Sequence, residues 1–163
     1  MQMTLLRFAA IVGIGGSLLA VAVPAFVRNL SASKTTEALE GLQRIANNAV
    51  SNAATHEQAV SFPPGVELTP AEVPRGIAVK DAPGTWDHLT WRALDFRMEN
   101  DHAYSFKFDS SFDRVTSIAR FAVRAHGDLD GDGNWSTFEV RGERLPGEPA
   151  KVMAGLLVTR ELE

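Results

Sequence analysis

Apolar residues recur along this chain in distinct rhythms, and each rhythm predicts a different element. Residues 8–27, FAAIVGIGGSLLAVAVPAFV, hold no charge over twenty positions and are flanked by Arg7 and Arg28. As a helix rising about 1.5 Å per residue, such a run is roughly 30 Å long, the thickness of a bilayer's hydrocarbon core. Further on, Ala38, Leu39, Leu42, Ile45, Ala46, Ala49, Val50 and Ala53 return at three- and four-residue steps, with Lys34, Glu37, Glu40, Arg44, Asn48 and Asn52 between them. That spacing predicts an amphipathic helix with one face laid on a sheet. Beyond residue 103 the period drops to two. Tyr104, Phe106 and Phe108 share one side of a strand against Ser105 and Lys107, and Phe121, Val123 and Ala125 alternate with Arg120, Ala122 and Arg124. Residues 135–141 and 152–160 complete about four predicted strands, and the short links between them favour an antiparallel meander.

The predicted architecture is therefore α+β: a long N-terminal α-helix, hydrophobic in its first half and amphipathic in its second, packed on a C-terminal antiparallel sheet of about four strands. Residues 1–32 form the hydrophobic segment and residues 33–163 the globular head. The head divides into the amphipathic helix (33–56), a variable loop region (57–102) and the sheet with an Asp-rich loop (103–163). The loop region carries Phe62-Pro63-Pro64-Gly65, then Pro70, Pro74, Gly76, Pro83 and Gly84, which mark an irregular connection broken by short extended pieces such as 76–79. Trp86, Trp91 and Phe96 follow closely. Aromatics of this size fold inward to plug a sheet more often than they form a surface, so they are assigned to the core.

Length and charge narrow the picture. A chain of 163 residues with 45% hydrophobic content can bury one modest core. Its net charge is -4, and because residues 1–33 contribute only Arg7 and Arg28, the remainder carries -4 - 2 = -6. An acidic head without a basic run argues against specific nucleic-acid binding. With no cysteine, thiol chemistry and disulfides are both excluded. His56, His88, His102 and His126 fall in no metal-ligand spacing and no G-x-S-x-G nucleophile motif occurs, so no enzyme activity and no catalytic residue are expected.

One constellation carries chemistry. Asp128-Leu129-Asp130-Gly131-Asp132-Gly133-Asn134-Trp135-Ser136-Thr137-Phe138-Glu139 has the spacing of an EF-hand loop. Asp128, Asp130 and Asp132 would be oxygen ligands, Gly133 would make the sharp turn, the Asn134 carbonyl would follow, Ser136 would bind directly or through water, and Glu139 could use both oxygens. Three aspartates within five residues repel one another unless a cation or water separates them, which suits Ca2+. The alternative is an acidic, glycine-rich hairpin turn open to solvent. The flanks read as strands, so a structural calcium staple fits better than a sensor that opens a helix pair, and strand alternation can aim Glu139 away from the loop. His126, just before the loop, is either a border of the ion site or an exposed strand-end histidine.

The apolar run is also unusual for a plain anchor. Gly13, Gly15, Gly16, Ser17 and Pro24 each weaken an isolated helix, whereas Ala9 with Gly13 and Gly16 with Ala20 set small residues four apart, which favours close helix-to-helix approach. A single anchor is the plain alternative. A cleaved secretory signal is another, with MQMTLLR as its basic start and Ala20-Val21-Ala22 as its cleavage site; the product would be a secreted, soluble, calcium-stabilised binding domain.

Met3-Thr4-Leu5-Leu6, a charge, the unbroken apolar run, then Val23-Pro24-Ala25-Phe26 with Lys34, Glu37 and Ala38, resembles the N-terminus of type IV pilins and type II secretion pseudopilins, in register from Met3 to Pro24. The resemblance implies a mature chain starting at Met3, a helix-bending proline at Pro24, and a partner-facing role for residues 60–100. It implies assembly into a homo-oligomeric helical filament or with other pilins, by way of inner-membrane assembly machinery. The chain would stand in the inner membrane before assembly and in an extracellular filament afterwards. Met3, Arg7, Gly13, Gly16 and Pro24 become the assembly residues. Two departures stand out: Arg7 reverses the sign of the glutamate usual at its position, and only Met1 and Gln2 precede Met3. Minor pilins and pseudopilins at filament tips lack that glutamate, and major pseudopilins use calcium near the C-terminus, so these members are the alternatives within the family.

Overall fold

The computed structural model describes residues 35–159. Helix α1 spans 35–53, and its inner face is the one the periodicity predicts: Ala38, Leu42, Ile45, Ala46, Ala49 and Ala53 are all buried, while Leu39 turns outward. Gly41 lies on this face because nothing larger fits; a Cβ there would stand 2.5 Å from Cζ of Phe106. Glycine in a helix interior costs about 1 kcal/mol relative to alanine, and here it lets the helix approach the sheet.

The strands are β1 (Val66–Thr69), β2 (Tyr104–Asp113), β3 (Ile118–Gly127), β4 (Ser136–Arg144), β5 (Lys151–Val152) and β6 (Leu157–Thr159), with a short helix α2 (Leu89–Ala93) between β1 and β2. The sheet is antiparallel in the order β1-β2-β3-β4-β5, and β6 also pairs with β4. β2 and β3 pair without interruption from Tyr104 opposite Gly127 to Asp113 opposite Ile118, and β4 continues the meander.

The predicted fold is corrected here. The described residues hold one 19-residue helix and six antiparallel strands, with no long N-terminal helix packed on the sheet. The apolar half of the expected helix falls in residues 1–34, outside the described residues, and no helix among the described residues is long and apolar enough to cross a membrane. The strand count rises for local reasons. β1 is four residues between Pro64 and Pro70, a stretch that reads as loop, and the predicted 152–160 strand is broken into β5 and β6 around Gly155, whose φ is +110°.

One core joins α1 to the inner face of the sheet through Tyr104, Phe106, Phe108, Phe121, Val123, Ala125 and Phe138. Trp86, Trp91 and Phe96 do turn inward: their ring centroids lie 5.3–5.6 Å apart, and Phe96 meets Phe106 at 5.2 Å. Their indole donors are satisfied, Trp91 Nε1 by Thr69 Oγ1 at 3.0 Å and Trp86 Nε1 by Asp81 Oδ2 at 2.6 Å. The last turn of α1 is held from the sheet. Nη1 of Arg144 on β4 donates to the carbonyl of Ala53, the last residue of α1 (2.7 Å), and to that of His56, three residues beyond it (2.8 Å).

Candidate metal centre

The Asp-rich segment is the turn from β3 to β4, closed below by the Gly127–Ser136 pair. That pair is small because Tyr104 lies across it: a Cβ on Gly127 would meet the Tyr104 ring at 2.6 Å. Burial raises the pKa of Tyr104, an effect the neighbouring hydroxyls of Ser136 and Thr35 only partly offset. The phenol thus stays neutral at the base of the loop.

Above this floor the aspartates fold the backbone around themselves. Asp128 is buried and accepts from Gly131 N at 2.8 Å through Oδ1 and from Gly133 N at 3.0 Å through Oδ2. Asp130 Oδ1 accepts from Asp132 N at 3.1 Å, and Asp132 accepts from Asn134 N and Asn134 Nδ2, both at 2.7 Å. Gly131 and Gly133 take φ of +81° and +92°, a region in which side chains are strained, and so permit this tight coil. Asp128, Asp130 and Asp132 each offer a carboxylate oxygen within 4.8 Å of the others. A donor set made only of carboxylate oxygens suits a hard cation.

The loop does not stand alone. Gly76 N donates to Asp128 O at 2.7 Å and Arg75 bridges Asp128 in parallel, so the proline-rich strap 70–77 is latched to it. Together with Trp135 the strap lines a groove of about 700 Å3.

The structure does not bring Ser136 and Glu139 to the aspartates. Ser136 Oγ is buried and donates to Gly127 O at 3.1 Å. Glu139 stands on the outer face of β4, where Arg124 and Arg141 both donate to its carboxylate, and Arg124 also reaches Asp109 at 2.5 Å. The cause is strand parity: Ser136 and Phe138 face inward, so Glu139 must face outward with Arg141. Asn134 turns its side-chain amide to Asp132. His126 is half-buried on the same outer face, within 2.9 Å of Thr137 Oγ1 through Nδ1, and its ring leans on Trp135 at 5.7 Å. Burial, with Arg124 and Lys107 nearby, holds its pKa below the usual histidine range. Met3, Arg7, Gly13, Gly16 and Pro24 lie outside the described residues.

Sequence reasoning missed a buried polar pair. His102 Nε2 lies 2.8 Å from Asp81 Oδ2, the same oxygen that takes the Trp86 indole, and His102 Nδ1 lies 2.7 Å from Tyr104 O. Nothing local could signal a pair joining a loop residue to the start of a strand. Compared with known proteins, the chain matches no protein-family profile, no curated protein and no solved structure.

Proposed function

We propose that this chain is a structural subunit of a type IV pilus-like extracellular filament, with a calcium-stapled loop in its head. The observation that carries the reading is the order of the chain: a twenty-residue uncharged run, Phe8 to Val27, leads into α1, whose buried face is part of the sheet's core. Such a run is suited to the inner membrane before assembly and to packing among the same segments of other subunits afterwards, aided by its small residues. The head would face outward. The sequence register from Met3 to Pro24 supports the same reading, with a minor pilin or type II secretion pseudopilin as the alternative within the class.

Asp128, Asp130 and Asp132 would hold the cation, with the Asn134 carbonyl next by spacing. Bound there, Ca2+ would neutralise three crowded carboxylates and fix the β3–β4 turn in a domain that has no disulfide. Mass analysis of the N-terminus of the exported protein tests the filament reading. A chain beginning at Met3, with or without methylation, supports it, and one beginning at Val23 overturns it in favour of a secreted domain. For the cation, EDTA should lower the melting temperature of the wild type and leave Asp130→Ala unchanged. A wild type indifferent to EDTA would remove calcium from the proposal.

A further inference from the structure

A titratable pair is buried between the start of β2 and the segment that precedes α2. The side chains of His102 and Asp81 are only 1% and 11% exposed. Each nitrogen of the His102 ring faces an acceptor. Nδ1 lies 2.7 Å from the carbonyl oxygen of Tyr104, which has no proton to give, so Nδ1 carries one. Nε2 lies 2.8 Å from Asp81 Oδ2, and that oxygen also accepts the Trp86 indole N–H at 2.6 Å. An oxygen that takes two N–H groups acts as an ionised carboxylate, and a ring that donates from both nitrogens is an imidazolium. The main chain fixes the meeting as well: Val79 N donates to His102 O at 2.9 Å and His102 N to Val79 O at 3.0 Å. From α1, the Glu37 carboxylate accepts from the adjoining Ala103 N at 2.9 Å and adds a negative charge at this end of the core. Asp101 and Lys80, next in sequence to the pair, are exposed to solvent.

We infer that the pair is a proton-operated latch: the His102 imidazolium holds Asp81, and with it residues 79–86, against the start of β2, and loss of the ring proton lets that segment loosen. When the proton leaves Nε2, a lone pair faces a carboxylate oxygen across the same short gap. Neither atom has a donor to offer and both are shielded from water, so they repel. Asp81 retains the Trp86 indole as a donor but loses its hold on His102. The pair needs both of its charges, so its contribution is present where the carboxylate is ionised and the ring protonated, and is lost as pH rises and the ring gives up its proton. The latch has a defined reach. Val79 and Asp81 help to line the groove of about 700 Å3 that strap 70–77 and Trp135 also line, so loosening alters the wall of that groove. The β2–β3 ladder beyond Tyr104 has no part in the pair. This device depends on neither the filament nor the cation.

Asp81→Asn separates the charge from the shape. Its side-chain oxygen can still accept the Trp86 indole and its amide can donate to a neutral Nε2, so the contact should survive at every pH. Hydrogen exchange at the Val79 and His102 amides is compared between the full wild-type chain and Asp81→Asn over one pH series, with the His102 ring nitrogens and the Trp86 indole N–H followed by NMR. At mildly acid pH the two proteins should exchange alike. As pH rises, the wild type should become about tenfold faster than the variant at these two amides, the effect of losing one charge-assisted hydrogen bond, while the β2–β3 ladder beyond Tyr104 stays equal in both. His88, exposed and two residues from Trp86, is present in both proteins, so its own protonation cancels in the comparison. Equal exchange at every pH overturns the latch. If Asp81→Asn does not fold, the wild type decides alone: Nε2 must lose its proton together with a shift of the Trp86 indole signal. A ring already neutral at mildly acid pH, or one that loses its proton with the indole signal unmoved, overturns it.

Discussion

Gly41→Ala offers a sharp test of how α1 meets the sheet, because local and tertiary effects have opposite signs. In an isolated helix the change stabilises by about 1 kcal/mol. Here the new methyl would lie 2.5 and 2.6 Å from Cζ and Cε1 of Phe106, whose ring is buried against Phe96 at 5.2 Å and beneath Trp86 at 6.4 Å, and has no room to retreat. Overpacking of this kind costs roughly 1–3 kcal/mol, so Gly41→Ala should be destabilising by up to about 2 kcal/mol after the helix gain is subtracted. Phe106→Leu removes the two clashing ring atoms and should itself cost less than the roughly 3–5 kcal/mol of truncating a core Phe to Ala. In that background Gly41→Ala should change sign and stabilise. Urea unfolding of the four variants, followed by tryptophan emission, gives the cycle. Equal effects in the two backgrounds, within about 0.5 kcal/mol, would refute the argument that Phe106 dictates Gly41.

Other consequences are as direct. Glu139→Gln weakens two charge-assisted contacts to Arg124 and Arg141 and should cost about 1–3 kcal/mol, yet leave the EDTA effect on melting intact; loss of that effect would return Glu139 to the ligand set. Arg144→Ala removes a donor from the Ala53 carbonyl at the end of α1 and from the His56 carbonyl just beyond it, and should speed amide exchange in the final turn of α1 while sparing its middle, so uniform exchange along α1 would contradict the clamp. The Thr116 hydroxyl and the Val115 N–H hold the Asp113 carboxyl below its ordinary range. The unfolded state therefore binds that proton first as pH falls. The stabilisation is full above about pH 4, the unfolded value, and is lost as pH falls through the folded one. Asp113→Asn should flatten this part of the acid unfolding curve, and a curve parallel to wild type would rule the linkage out.

What could be read from the sequence was whatever a local period dictates. Helix spacing picked out Ala38, Leu42, Ile45, Ala46, Ala49 and Ala53, and alternation picked out Tyr104, Phe106, Phe108, Phe121, Val123 and Ala125. Asp128, Asp130 and Asp132 were legible for the same reason, since a single tight turn brings alternate residues together. Counting onward to Ser136 and Glu139 failed where the loop gives way to β4, because pairing with β3 then decides which side each residue faces. Short elements between prolines, such as β1, carry too few residues to show a period. Contacts such as His102 with Asp81 or Arg144 with Ala53 join distant segments and leave no local trace.

Those distant contacts also determine how far order in the Asp-rich loop reaches. The loop is tied to strap 70–77 through Gly76 N and Asp128 O, and the strap is tied to β2 by Ser105 Oγ donating to Glu72 O at 3.3 Å. Immediately before the strap, Thr69 accepts the Trp91 indole, which sits inside the aromatic core. A cation that fixes the loop should therefore stiffen the strap and alter the surroundings of Trp91, although no aspartate touches that ring. Trp135 would mask the effect because it belongs to the loop itself, so the measurement belongs in Trp135→Phe, where emission comes from Trp86 and Trp91 alone. Calcium should then change the emission and its quenching by acrylamide, and Asp130→Ala in the same background should abolish the change. Calcium that raises the melting temperature of Trp135→Phe without altering either signal would show that the loop is stabilised in isolation, and that the strap does not carry its order into the core.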